Sequence, residues 1–211
     1  MKTVVINASP RKNWNTAQLM KAAKEGAESV GAEVEYIDLY DLNFTGCRSC
    51  LDCKRKGKEP CHCYWDDDLS PLIDRILKAD TLLIGSPIYL HEPTAQFRAL
   101  FERLLFCVIS YDSHSTSFKG KVDVGLIYTM NAPKKYYEDV LRAKFKAHEK
   151  LFRVLNGEVR IYASCDTLQV SDYSKYNMAA FDESHKCKVH EEQFPLDLQE
   201  AYKLGAELSK A

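Results

Sequence analysis

The stretch Val4-Val5-Ile6-Asn7-Ala8-Ser9-Pro10-Arg11-Lys12-Asn13-Trp14-Asn15-Thr16 decides the fold. A β-branched run, which favours a strand, passes directly into a loop rich in hydroxyls and amides. Leu19, Met20, Ala23 and Ala27 then recur at helical spacing. Strand, polar loop and helix in that order build an anion site. The first helical turn leaves its N–H groups unpaired and carries a partial positive charge. Ser9, Asn15 and Thr16 can add donors, and Arg11 supplies a fixed charge with a planar donor fork. The ligand that suits such a turn is a phosphate monoester. An ordinary surface turn uses the same residue types, so the order of the elements carries the reading.

Working outward, the segments alternate. A strand over Lys2–Ile6 and a helix over Thr16–Val30, stopped by Gly31, lead to a strand over Glu33–Ile37. A cysteine-rich loop occupies 43–65. The acidic run Asp66-Asp67-Asp68 suits the start of a helix over Leu69–Lys78. Thr81–Ile84 is a continuous apolar strand of the kind buried on both faces, and Ser86-Pro87-Ile88-Tyr89 breaks it. A helix over Thr94–Val108, a strand over Val122–Tyr128, a long helix over Tyr136–Leu155 ending near Gly157, and a strand over Val159–Ala163 follow. An irregular tail over 164–196 precedes a last helix over Leu198–Ser209. This alternation predicts an α/β fold: a doubly wound five-stranded parallel sheet in the order 2-1-3-4-5, helices on both faces, one domain over 1–211. Ligands of such sheets bind beyond the carboxyl ends of the strands, at the switch point between the first and third. The loops there are the Ser9 loop, Pro87-Ile88-Tyr89, and Thr129-Met130-Asn131 after Tyr128.

Composition narrows the function. The 211 residues carry a net charge of −1 and are 45% hydrophobic. Nothing in that balance points to nucleic acid or to an anionic membrane as partner. The chain has no apolar run of about 18 residues and no leader-like apolar segment, so a cytoplasmic protein is expected. Eight cysteines are many for such a chain. Cys47, Cys50 and Cys53 stand at two-residue spacing, with Cys61 and Cys63 close behind. Such crowding points to metal or redox chemistry before structural disulfides. Three outcomes stay open: a [4Fe–4S] cluster, a closed zinc site, or free or disulfide-forming thiols. Lys54, Arg55, Lys56 and Lys58 either lower nearby thiol pKa values or form a solvated surface. Cys107 and Cys165 lie in apolar contexts as small core residues. His62, His91 and the Lys134-Lys135 pair are secondary site candidates. Each has a plain loop or helix-start reading beside it.

The nucleotide follows by elimination. The first glycine is Gly26, so no dinucleotide glycine fingerprint follows the first strand. A phospho-receiver domain needs acidic strand ends, and Asn7 and Gly85 stand there instead. A mononucleotide with a terminal phosphate remains. FMN fits, with its ring against the rigid ledge Pro87-Ile88-Tyr89.

Asn7–Thr16 resembles the phosphate loop of the flavodoxin-like NAD(P)H-dependent FMN reductase superfamily. Ala79–Tyr89 together with Gln96–Arg103 resembles its ring-binding loop and following helix. The cysteine segment leading to Asp66–Leu69 resembles the iron-sulfur flavoprotein branch. The resemblance implies FMN held by Ser9, Arg11, Asn13, Asn15, Thr16, Pro87, Ile88, Tyr89, Thr129, Met130 and Asn131. It implies NAD(P)H as co-substrate and a quinone, flavin or similar small acceptor. The branch implies, as an alternative, a [4Fe–4S] cluster passing electrons with FMN between protein partners such as ferredoxin. Its ligands would be Cys47, Cys50, Cys53 and Cys63, because in the family a cysteine and a short spacer precede the acidic helix start. Cys61 is then spare. A homodimer or homotetramer is also implied. No catalytic side chain is named, because the flavin carries the chemistry. Two departures stand out: Trp14 replaces a usual glycine, and Lys54–Pro60 lengthens the cysteine loop.

Overall fold

The computed structural model describes residues 1–113 and 115–210. The strands are β1 (Lys2–Asn7), β2 (Glu33–Asp38), β3 (Thr81–Tyr89), β4 (Glu92–Pro93), β5 (Val122–Thr129) and β6 (Asn156–Ser164). Five run parallel in the order β2-β1-β3-β5-β6, and the short β4 pairs antiparallel with β3. Without β4 this is the expected doubly wound order, with the switch point between β1 and β3.

The central strands divide their side chains between two cores, as a strand's period of two requires. Val5, Leu83 and Ile127 pack against α1 (Asn15–Ser29) and α7 (Phe194–Leu208) through Leu19, Met20 and Leu204. Val4, Ile6, Leu82 and Leu126 pack with Leu72, Phe97 and Phe145 from α2 (Leu69–Lys78), α3 (Ala95–Val108) and α5 (Arg142–Phe152). Helices α1 and α7 cross with their backbones almost touching. A Cβ on Gly26 would lie 1.9 Å from the Tyr202 carbonyl oxygen, and one on Gly205 would lie 1.9 Å from that of Ala23. Only glycine fits at either position.

Three elements differ from the sequence expectation. Strand β3 does not break at Ser86 but runs to Tyr89. Its pairing with β1 ends at Gly85, whereas pairing with β5 continues to Pro87 opposite Thr129. Pro87 lies beyond the last β1 pair and before the β4 pairs at Ile88 and Tyr89, so a residue without an N–H is tolerated there. Leu90 and His91, both at positive φ (49° and 69°), then turn the chain into β4. The long fourth helix is segmented. It begins as α4 (Lys134–Tyr136), passes through one wide π turn at Tyr137–Leu141, continues as α5, and ends in a tight turn at Arg153–Leu155. The tail is less irregular than expected. It holds a single 3₁₀ turn at Tyr173–Lys175 and helix α6 (Glu183–Glu192), and α7 starts already at Phe194. Asp182 caps α6 by accepting from the His185 N–H at 3.2 Å. Lys186 is the one buried residue of α6. A helix without an apolar face leaves no periodic signal.

Candidate functional site

The β1–α1 loop is pre-shaped by its own polar groups. Asn7 is fully buried; its Nδ2 donates to Asp38 at 2.7 Å and its Oδ1 accepts from the Ser9 N–H at 3.1 Å. The Ser9 hydroxyl oxygen accepts from the Arg11 N–H at 3.1 Å. The Thr16 hydroxyl is 2.7 Å from that of Thr129, tying the start of α1 to the end of β5. One cleft is lined by Ser9, Arg11, Trp14, Asn15, Thr16, Pro87, Ile88, Tyr89, Thr129, Met130 and Asn131, joined by Thr167, Leu168 and Gln169. Ten of the eleven expected flavin-contacting residues therefore meet around one space. Asn13 stands outside it. It is exposed, and its side chain accepts from Lys21 on the outer side of α1 at 3.1 Å.

The fourth wall, Thr167–Gln169, is the part the sequence reading missed. It works as a strap over the phosphate loop. The Leu168 carbonyl accepts from Trp14 Nε1 at 3.0 Å and from Asn15 Nδ2 at 2.7 Å, and the Gln169 carbonyl accepts from Arg11 Nη1 at 2.6 Å. The Arg11 guanidinium also lies 4.2 Å over the Trp14 ring. Main-chain acceptors have no side-chain signature. The one sequence clue was Trp14 itself, an indole N–H in a loop that usually carries glycine. Asn131 donates from Nδ2 to Gln169 at 2.9 Å, while its buried Oδ1 has no partner among the described residues. That orphaned acceptor, beside a ledge of Pro87 and Ile88, fits a planar heterocycle with a ring N–H. The Tyr89 side chain is exposed, and its hydroxyl pKa is raised by partial desolvation and by Tyr40, against the opposing charge of Arg11.

The cysteine loop is a second site. Cys47, Cys50, Cys53 and Cys63 line one cavity with Arg48, Leu51, Tyr64, Trp65, Arg103, Phe106 and Cys107. Cys61 does not line it. Among the described residues no three His, Cys, Asp or Glu side chains group closely enough to hold one metal ion. The cysteines are instead spread around a space. Ser49 and Leu51 take positive φ (54° and 61°), bending the chain between the cysteines. Burial pushes the Cys53 thiol pKa up, Lys54 opposes this, and the neighbouring Cys63, Cys50 and Cys47 add to it. Burial drives that of Cys107 far up, and its Sγ contacts the Leu104 carbonyl at 3.2 Å, so it is a core thiol. Lys54 does not face the thiols as a free cation. Its Nζ caps the C-terminus of α3 at the carbonyls of Phe106, Cys107 and Ile109, where a cation opposes the helix dipole.

The acidic run holds the loop as well as the helix. Asp68 accepts from the Asn43 N–H at 2.7 Å, and Asp67 accepts from the Leu69 N–H at 3.0 Å while pairing with Arg103. Of the secondary candidates, His62 pairs with Asp74 at 2.9 Å and lies off the cysteine cavity. His91 bonds the Tyr136 hydroxyl at 2.9 Å, and Lys135 pairs with Asp139 at 2.7 Å. A larger groove of about 800 Å³ crosses the free edge of β6 and includes Lys134, but no expected flavin residue lines it.

A doubly wound parallel sheet in the order β2-β1-β3-β5-β6, with a cleft at its switch point, defines a flavodoxin-like α/β fold. Residues 1–142 match the NADPH-dependent FMN reductase family, and the chain belongs to that family of flavin-dependent oxidoreductases. The curated relatives are iron-sulfur flavoproteins. One from Archaeoglobus fulgidus is 27% identical over 94% of this chain and 89% of its own length. One from Methanocaldococcus jannaschii is 34% identical over 49% of this chain, and the match spans about half (51%) of that relative. Among solved structures, an NAD(P)H:quinone oxidoreductase from Methanothermobacter marburgensis superposes with a TM-score of 0.72 at 17% identity, covering 100% of this chain and 98% of that one. An FMN-dependent NADH-azoreductase from Bacillus anthracis, in complex with FMN, gives 0.68 at 15% identity, with 100% of both chains covered. At such identities these two establish the fold. No helix among the described residues is long and apolar enough to cross a membrane.

Proposed function

We propose that this protein is an FMN-dependent oxidoreductase that takes reducing equivalents from NAD(P)H and passes them to a quinone, flavin or similar small acceptor. The observation that carries the reading is the single cleft joining the β1–α1 turn to the Pro87–Tyr89 ledge and the Thr129–Asn131 loop. FMN, when bound, supplies hydride or single-electron chemistry at its ring. The chain's own residues bind and orient. Ser9, Arg11, Asn15, Thr16 and the N–H groups of the first turn of α1 receive the phosphate. Pro87, Ile88 and Tyr89 support the ring, and Asn131 offers it an acceptor. The strap at Thr167–Gln169 braces the phosphate loop through the Leu168 and Gln169 carbonyls. The test is to extract the cofactor, identify it against FMN and FAD standards, and follow NAD(P)H oxidation with quinone and flavin acceptors. FAD as the main species, or no flavin-dependent NAD(P)H oxidation, overturns the reading.

A second reading has its own observation. Four cysteines around one cavity, in a chain whose curated relatives are iron-sulfur flavoproteins, support a [4Fe–4S] cluster held by Cys47, Cys50, Cys53 and Cys63. The protein would then pass single electrons between FMN, the cluster and a protein partner such as ferredoxin. Iron and sulfide analysis of anaerobically purified protein separates the two readings. The free edge of β6 supports assembly into a homodimer or homotetramer, because an unpaired edge strand is a ready pairing surface.

A further inference from the structure

Arg103 is an unusual residue to find inside the α3 face of the sheet. Its side chain is 2% exposed. Nη1 donates to Asp67 and, at 3.2 Å, to the Thr45 carbonyl. Nη2 donates to Ser70 Oγ at 2.7 Å, to the Trp65 carbonyl at 3.3 Å and to the Cys63 sulfur at 3.3 Å. Nε is buried with no partner among the described residues. A buried guanidinium is costly unless its charge and its donors are met. Asp67 is its one carboxylate partner. Arg103 nevertheless lines the cysteine cavity, where a second guanidinium, Arg48, lies 4.6 Å over the Trp65 ring. The wall of that cavity thus carries two guanidinium groups, and that of Arg103 is buried.

We propose that Arg103 sets the reduction potential of the cysteine-bound cluster, through its N–H···S hydrogen bond to Cys63 and its fixed buried charge. The inference rests on the cluster reading given above. A cluster held by four thiolates is anionic, and reduction adds one further negative charge. A fixed cation and an N–H donor at a ligand sulfur stabilise the reduced form more than the oxidised form, which raises the potential. Arg103 does this as a positioning and charge-compensating residue, without itself binding iron. Asp67 moderates the effect by taking part of the charge, and it also holds the start of α2 through the Leu69 N–H.

The experiment uses full-length protein purified anaerobically, with iron and flavin contents measured first. The cluster potential is then found by an EPR-monitored titration with dithionite and mediators. Two variants are compared with the wild type. Arg103→Lys keeps the charge and loses the fork. The double variant Arg103→Gln with Asp67→Asn removes both charges together, while the asparagine keeps the oxygen that accepts from Leu69. Both variants should retain iron and flavin and shift the potential downward. The double variant removes two opposite charges, so its shift reads chiefly the lost N–H···S bond; it should lose a few-fold in the one-electron reduction equilibrium, where tenfold is about 59 mV, and Arg103→Lys, which keeps the charge, should lose less. Potentials equal to the wild type, with iron intact, overturn the role of Arg103 alone. Iron lost from both variants while flavin content and melting are unchanged also overturns it, by making Arg103 an assembly residue. A wild type without iron overturns the cluster reading and this proposal together.

Discussion

The two loops that leave the sheet near its switch point are built on opposite plans. The phosphate loop is satisfied from within and from one strap. Asn7, Ser9, Trp14, Asn15 and Thr16 all have protein partners. The cysteine loop is held at its margins by Lys54, Asp67 and Asp68, while its four candidate thiols share a cavity. The difference follows from the chemistry of the donors. Backbone amides and hydroxyls carry no net charge and do not repel one another, so an anion site can be assembled by its own hydrogen bonds. Thiolates brought together without a metal repel one another, so such a site is completed by what it binds.

The contrast is broken or sharpened most strongly by the cysteines. Under the cluster reading, Cys63→Ser abolishes the iron of anaerobic protein, while Cys61→Ser leaves most of it, as iron analysis will show. The reverse pattern would move the site off the cavity described here. Next comes Arg11→Ala. Removing a charged donor should weaken FMN binding by about 1.5–3 kcal/mol, roughly ten- to a hundredfold. Titration of apoprotein measures this, and iron content should not change. Asn15→Ala cuts one of the two side-chain bonds to the Leu168 carbonyl. It should cost about 0.5–1.5 kcal/mol in FMN binding, roughly two- to tenfold in affinity.

The smallest effect concerns the anchor of the strap. Asp166 pairs with the buried Lys186 and with His185. Burial alone would raise its pKa, but those two hydrogen bonds outweigh it and lower the folded value. A depressed carboxyl pKa gives stability that is present above the unfolded value near 3.9 and is lost as pH falls through the folded one. Asp166→Asn should therefore melt roughly 2–4 °C below the wild type at pH 6, the shift for about 1 kcal/mol in a chain of this size. The gap should close toward pH 3. A constant gap would show that the carboxylate charge is not what anchors the strap.

The sequence made some parts of this molecule legible and hid others for definable reasons. Strand β1, the acidic start of α2 and the apolar face of α3 announced themselves through periodicity and caps. The switch-point loops followed from topology, and they brought all the expected flavin residues except Asn13 to one cleft. Helix α6 stayed hidden because its single buried residue is Lys186. The π turn at Tyr137–Leu141 stayed hidden because one extra residue per turn barely disturbs a mixed-charge pattern. The strap was invisible because it acts through carbonyl oxygens, which every residue has. Arg103 was quoted in a helix motif, but its contact with Cys63 depends on two elements far apart in sequence.

The glycine crossing of α1 and α7 has a consequence for timing. Leu19, Met20 and Ala23, on the helix that follows the β1–α1 loop, are covered by side chains that lie far along the chain. Thr3 and Thr81 likewise await Ser209 and Leu208 for their hydroxyl partners. Contacts between such distant parts of a chain form late. Until Phe194–Leu208 docks, one face of the sheet keeps a bare apolar stripe, so the β1–α1 loop should reach its final shape only in the last stage of folding.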